Sequence, residues 1–332
     1  MASPRSDRQA PEWKIWLALA IIYVVWGSTY LAIWLVVETM PPLLSAGVRF
    51  GLAGVVLLGV VALRNGWRAL LLRRAEIYGA AFVGVTLLLG GNGLVMLGER
   101  DVPSGLAALI IAVVPLWVIV LRLLFRESVH RGTLVGVVFG FSGVAVLVLP
   151  RGMSGSVPIE GMLMLVAAGA SWSVGSYYSK RLSLPLDPLT STGAQMVLGG
   201  GALLAAGLIA GELGLVVPEA FSDASLISLL YLVVFGSILA YTAYTWLLQA
   251  TSVSRVATYA YVNPVVAVFL GWWLLDEEVG LSIVTGAAMI VVAVALVIRT
   301  EARPARTAGA LEAAPAQAAL SQEELEAVRA ER

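Results

Sequence analysis

Pro42-Leu43-Leu44-Ser45-Ala46-Gly47-Val48-Arg49-Phe50-Gly51-Leu52-Ala53-Gly54 recurs 146 residues later as Pro188-Leu189-Thr190-Ser191-Thr192-Gly193-Ala194-Gln195-Met196-Val197-Leu198-Gly199-Gly200, identical at six of thirteen positions. Each copy opens a run of about 20 apolar residues, the length a helix needs to cross a hydrocarbon core. Further along, Pro115 pairs with Pro264 at an offset of 149, and Val129 with Val279 and Gly136 with Gly286 at 150. A nearly constant offset over three separate matches marks an internal duplication rather than chance likeness of Gly-rich segments.

Working outward from the repeat, the apolar runs are Ile15–Val36, Leu43–Leu63, Glu76–Leu97, Pro103–Phe125, Gly132–Pro150, Gly161–Ser179, Leu189–Ala210, Ser225–Gln249, Val256–Leu275 and Leu281–Ile298. These ten runs predict ten transmembrane helices, five in each copy. They are continuously apolar, whereas the strands of a membrane barrel alternate over about ten residues. The first run follows Arg5, Arg8 and Lys14, as a secretory signal would. Its apolar length of about 22 residues exceeds that of a signal core, and no small-residue cleavage site follows, so it is predicted to stay attached.

Of the 332 residues, 59% are hydrophobic and 13% charged, where soluble domains carry about 25% charge. That composition excludes an ordinary soluble enzyme. Lys+Arg and Asp+Glu both number 21, and no basic patch stands on a polar surface, so no nucleic-acid partner is expected. With no cysteine, a single histidine, no HExxH and no paired Asp motif within a span, disulfides, catalytic dyads and metal sites are not expected to be assembled. The sequence predicts no enzyme and no cofactor.

Placing the N-terminus in the cytoplasm puts 18 of the 21 Lys and Arg residues on that side; Arg100 and Arg151 fall outside, and Arg49 lies within a span. The positive-inside rule is then met with both termini cytoplasmic. Because five is odd, the second copy enters the membrane with opposite polarity. Inverted repeats of this kind mark secondary transporters, which alternate access to a midplane site by rocking one repeat against the other. The expected organisation is a cytoplasmic tail (1–13), a first five-helix repeat (14–150), a linker (151–159), a second repeat (160–298) and a polar cytoplasmic tail (299–332). Ser321 to Glu324 in that tail forms a capping-box pattern, to which no function attaches.

Trp26-Gly27-Ser28-Thr29-Tyr30-Leu31-Ala32-Ile33 in the first span, Arg49 in the second, and the Pro115 and Pro264 spans, each followed by an acidic-plus-Val turn, resemble the EamA branch of the drug/metabolite transporter superfamily over residues 14–298. The resemblance implies an all-α integral membrane protein with two inverted repeats around a central cavity. It implies that spans five and ten sit outside the cavity wall, and it is closest in character to bacterial inner-membrane exporters of amino acids and related metabolites.

Candidate site residues follow from polarity and spacing. Pro115 and Pro264 remove backbone hydrogen bonds near the centres of spans four and nine and are expected to kink or open both helices; helix packing is the alternative reading. Arg49 lies about 9 Å inside its span, either as counter-charge for a substrate carboxylate, or snorkelling to the outer headgroups or paired with Glu38 or Glu99. Trp26, Thr29 and Tyr30, with Trp172, Ser176, Tyr241, Tyr244 and Tyr259, supply rings and hydroxyls at helical spacing that suit an amphipathic ligand or interhelical packing. Asn92 and Asn263 add amides, the latter directly before Pro264. Glycines 132, 136 and 140 are read as packing within the protomer, and His130 as a solvated loop residue.

No acidic residue lies deep in any span, so transport is expected to be either uncoupled or coupled through a shallow group such as Glu99. The expected function is export of small amphipathic metabolites, most plausibly neutral or aromatic amino acids with broad selectivity; a drug, nucleotide-sugar or other metabolite carrier is the alternative, and an intramembrane enzyme a distant one. The partners expected are a small-molecule substrate and the lipid bilayer, with the chain a monomer or weak homodimer.

Overall fold

A run of twenty apolar residues in lipid must satisfy its backbone internally, and each of the runs is a helix. The computed structural model describes residues 11–154, 157–179, 181–251, 256, 258–297 and 299–300. Arg5, Arg8, Lys180, Arg255 and the tail with its Ser321–Glu324 pattern lie outside the described residues. The helices are α1 (Glu12–Val37), α2 (Pro42–Asn65), α3 (Arg74–Gly98), α4 (Ser104–Leu124), α5 (Arg131–Val148), α6 (Ile159–Ser179), α7 (Pro188–Ile209), α8 (Asp223–Leu247), α9 (Tyr259–Leu275) and α10 (Leu281–Val297). The first eight are long and apolar enough to cross a membrane; α9 and α10 are shorter apolar helices. No strand occurs among the described residues.

Local signals set the helix starts. Pro42 and Pro188 occupy first-turn positions, where a missing N–H leaves nothing unsatisfied. The Asp187 carboxylate accepts from the Thr190 N–H at 2.7 Å, and Ser222 caps α8 by accepting from the Ser225 N–H at 3.1 Å. Val24, Val55, Val138, Ile227 and Val265 are each more than half exposed. Such exposed apolar side chains on five of the helices fit lipid rather than water.

The two stretches that recur in the sequence pack against each other. A Cβ added to Gly200 would lie 2.6 Å from the Gly51 nitrogen, one on Gly54 2.8 Å from the Val197 nitrogen, and one on Gly47 2.8 Å from the Leu204 nitrogen. Partners descend along α7 as positions ascend along α2, so the copies run antiparallel. Inversion of the repeat is therefore a geometric fact at this seam, and glycine is what lets the backbones approach so closely.

Alternation of the helices gives the bundle an acidic end, with Glu99, Glu212 and Glu277, and a basic end, with Arg64, Arg73 and Arg181. α5 and α10 pack on one another: a Cβ on Gly136 would meet Val297, and one on Gly140 or Gly143 would meet Ala293 or Met289. The glycines of α5 thus serve packing within the chain, as expected. His130 is exposed and its Nδ1 accepts from the Gly132 N–H at 3.0 Å.

The prolines do not behave as a pair. α4 breaks at Ala112–Val113, which places Pro115 in the first turn of the segment Val114–Leu124, whereas α9 continues through Pro264. The Asn263 amide, with its nitrogen turned to the backbone, donates to the carbonyls of Tyr259 (3.2 Å) and Tyr23 (3.3 Å), supplying donors beside the position where Pro264 has none. The equivalent interruptions lie instead in α3 and α8, which widen to i→i+5 hydrogen bonding at Val85–Gly93 and Leu232–Leu239. Such widenings free carbonyls and cluster at functional sites.

Candidate functional site

The widened turns face a cavity walled by α1, α2, α3, α4, α6, α8 and α9; α5, α7 and α10 contribute no lining residue. Its free volume is about 90 Å³, below the 300–1,000 Å³ of typical ligand pockets. Aromatic rings crowd its wall. Trp26 is the hub, with ring centroids at 5.0 Å from Tyr244, 5.5 Å from Tyr259, 6.2 Å from Trp172 and 6.4 Å from Tyr241. Tyr244 lies 6.0 Å from Tyr259 and 6.2 Å from Tyr241. Rings drawn from α1, α6, α8 and α9 therefore meet edge-on or tilted around one point, as their quadrupoles favour.

The widened turns present backbone to this cluster. The Trp26 indole N–H donates to the Gly236 carbonyl at 3.2 Å, and the Asn92 amide donates to the Leu87 carbonyl at 3.3 Å. Each bond satisfies a carbonyl within a widened turn, which keeps an otherwise costly backbone opening stable in a buried setting.

Arg49 is the one charged residue in the cavity wall. It is 3% exposed, its Nε donates to Ser237 Oγ at 2.9 Å, and its guanidinium lies over the Phe50 ring at 4.4 Å. Its NH1 has no hydrogen-bond partner. No ion pair among the described residues joins Arg49 to Glu38 or Glu99, so the pairing considered from sequence is not formed; a serine one helix away takes that place. The repeat-equivalent Gln195 accepts from the Tyr241 hydroxyl at 3.1 Å. Both copies thus direct a polar side chain onto α8, and only the first carries a charge.

Of the residues singled out from sequence, Trp26, Thr29, Tyr30, Arg49, Asn92, Trp172, Tyr241, Tyr259, Asn263 and Pro264 line the cavity. Tyr244 stands behind Trp26, Ser176 donates to the Trp172 carbonyl of its own helix at 2.8 Å, and Pro115 and Glu99 lie outside the lining. Sequence reasoning missed the small lining residues Gly91, Ala108, Ala112, Ala168, Gly236 and Ala260. Their signal was the absence of bulk beside aromatic stripes, which an apolar Gly/Ala-rich span hides.

The acidic end differs from expectation. Glu99 stands at the end of α3, as expected, yet it is 0% exposed, and neither carboxylate oxygen has a hydrogen-bond partner. Glu212 is also buried and accepts from the N–H groups of Leu43 (3.2 Å) and Leu44 (2.9 Å) at the start of α2. Glu277 accepts from the Ser104 N–H and hydroxyl, both at 2.7 Å, and from the Gly105 N–H at 3.0 Å at the start of α4. Position along a span gave depth correctly, but tertiary packing decided solvation.

At the basic end Glu127 accepts from the hydroxyl of Tyr177 (2.6 Å), from Arg181 (2.7 Å) and from Arg122 (3.1 Å). The Tyr177 hydrogen bond, followed by those two cations, holds its carboxyl below the usual range.

The family described as the EamA-like transporter family matches residues 13–149 and again 159–299. The chain is 39% identical over 281 residues to the inner membrane transporter YedA of Escherichia coli, itself uncharacterized, covering 84% of this chain and 89% of that protein. It is 29% identical to the uncharacterized transporter YvbV of Bacillus subtilis, over 87% of this chain and 93% of that protein. Similarity to protein PecM of Dickeya dadantii is also 29%, over 82% and 88%. A solved crystal structure superposes with a TM-score of 0.61 at 17% identity, covering 86% of this chain and 96% of that one, which shows a shared fold.

Proposed function

Because the chain belongs to the EamA-like transporter family, we propose that this integral membrane transporter exports small amphipathic metabolites, with neutral and aromatic amino acids as its substrate class. The observation that carries this reading is the unpartnered NH1 of Arg49 beside the Trp26 ring cluster. A buried cation with a free donor matches a carboxylate. Rings held edge-on around a common point match an apolar or aromatic side chain, and hydroxyls of Tyr30, Tyr241 and Tyr259 offer polar contacts. A nucleotide sugar would call for several cations, where the lining holds one.

The narrow free volume implies that rings swing aside when substrate enters. Ties between the two halves at the acidic end, through Glu212 and Glu277, are consistent with a face that is closed in this conformation. The bias of Lys and Arg to the opposite end supports an acidic end facing outward across a bacterial inner membrane, with α9 and α10 completing ten spans.

A counterflow screen in proteoliposomes with labelled amino acids, nucleosides and sugars tests the reading. Accelerated exchange of L-phenylalanine and related amino acids is expected. Robust flux of another class with no amino-acid flux overturns it.

A further inference from the structure

Three acidic residues from the acidic end are drawn into the structure, and two of them have found helix N-termini. Glu212 meets two N–H groups at the start of α2, and Glu277 meets two N–H groups and a hydroxyl at the start of α4. The positive end of a helix dipole stabilises an anion there. The space around Glu277 is shaped for it: a Cβ on Gly105 or Gly271 would lie 3.1 or 2.4 Å from its Oε2.

Glu99 has neither advantage. It sits at the C-terminal cap of α3, the negative end of that helix. It is 0% exposed, and no donor reaches its oxygens; the Trp34 backbone lies close by without meeting hydrogen-bond geometry. An ionised carboxylate so placed gives up its hydration with no hydrogen bond in exchange. The groups that face it are Arg49 from α2, Tyr30 from α1 and Glu277 from the α9–α10 turn. Arg100 and Asp101 on its own turn are exposed. Glu277, committed to α4, adds repulsion, while Arg49 forms no ion pair with Glu99 and keeps its NH1 free.

We propose that Glu99 is the proton-binding site of this transporter, holding a proton while the acidic end is closed and releasing it when that end opens. In the closed arrangement the neutral acid is the form that burial without donors accepts. On opening, the O–H bond of Glu99 breaks, the proton passes to water at the exposed Arg100–Asp101 turn, and the carboxylate left behind is compensated by the free NH1 of Arg49. Arg49 would thus serve two anions in turn, substrate and Glu99: a proton taken up while the basic end is open leaves on the acidic side together with substrate, and the outward substrate gradient drives both. The inference deepens the proposed transport reading and rests on amino-acid specificity only for the choice of probe.

Infrared titration of the full-length protein in lipid decides the site without any substrate. Wild type is expected to show the carbonyl stretch of a protonated carboxylic acid at neutral pH, lost in Glu99→Gln and retained in Glu277→Gln. In proteoliposomes holding a pH dye, wild-type flux of L-phenylalanine moves protons. Glu99→Gln is expected to retain exchange of labelled for unlabelled L-phenylalanine and to lose the proton movement. If Glu99→Gln does not fold, Glu99→Asp supplies the readout as a shifted rather than lost carbonyl band. Absence of the band in wild type, its persistence unchanged in the Glu99 variants, or undiminished proton movement in Glu99→Gln overturns the proposal. A wild type that moves no L-phenylalanine sinks the amino-acid reading and leaves the infrared titration to decide Glu99.

Discussion

Glu277 places one carboxylate oxygen 2.7 Å from both the backbone nitrogen and the hydroxyl of Ser104, tying the turn after α9 to the start of α4 across the two halves of the molecule. The geometry depends on Asp276, whose left-handed backbone (φ 52°) lets the Glu277 N–H reach the Gly271 carbonyl at 3.1 Å. Glu277→Ala removes a charged acceptor from three donors and is expected to destabilise the protein by about 2–4 kcal/mol. Gly271→Ala, which drives a Cβ into Oε2, should shift stability in the same direction. Thermal unfolding in detergent measures both; an unchanged midpoint in each would remove the tie from the account.

Arg49→Gln places in the first repeat the residue that the second repeat carries at position 195. The fold is expected to persist, because Gln195 is accommodated at the equivalent depth with a hydrogen bond to Tyr241. Loss of the free cation should lower L-phenylalanine counterflow at least tenfold, about 1.4 kcal/mol or more. Full flux in this variant would exclude Arg49 as the carboxylate partner.

Trp26 makes ring contacts with four other aromatic residues and one hydrogen bond to the widened turn of α8. Trp26→Ala is expected to cost about 3–5 kcal/mol of stability and to abolish selectivity among amino acids. Trp26→Phe keeps a ring while losing the bond to the Gly236 carbonyl, and should fall between the two in both unfolding and flux assays.

The seam between α2 and α7 leaves no room for a side chain at position 200. Gly200→Val forces the Gly51 backbone to move and is expected to destabilise by about 1–3 kcal/mol. Gly201, one residue on, has open space around it, so Gly201→Ala should change the unfolding midpoint little. Equal effects at the two positions would contradict the seam.

Acid should weaken the basic end through Glu127. Its carboxyl is held below the usual range, first by the Tyr177 hydroxyl and then by Arg122 and Arg181. A depressed folded value means the contribution is fully present above the unfolded value of about 4.3 and is lost as pH falls through the lower folded value. The midpoint difference between wild type and Glu127→Gln should therefore hold at neutral pH and shrink under acid, as thermal unfolding across pH would record. A difference that grows on acidification has the wrong sign for this account.

Much of the cavity wall was legible in advance because polar and aromatic side chains are rare in spans of Val, Leu, Ile, Gly and Ala. Trp26, Arg49, Asn92 and Asn263 stand out on that background, and the structure places all four at the cavity wall. The small residues opposite them did not stand out, since a Gly or Ala in such a span packs against lipid, a helix or a cavity with the same letter. Pro115 and Pro264 promised matched openings, but backbone widening in α3 and α8 arises from i→i+5 bonding that no single residue type announces.

The chain's sequence by itself determined that it lies in lipid, that its backbone forms helices, and that its two halves are related copies. Those properties follow from composition, run length and an internal repeat, each a sum over many residues and so insensitive to any one contact. Tertiary structure alone decided that Arg49 bonds Ser237 rather than an acid, and that Glu212 and Glu277 cap helices while Glu99 is left buried without a donor. Such outcomes turn on which N–H groups a neighbouring helix presents within about 3 Å, and a position along the chain does not specify that distance.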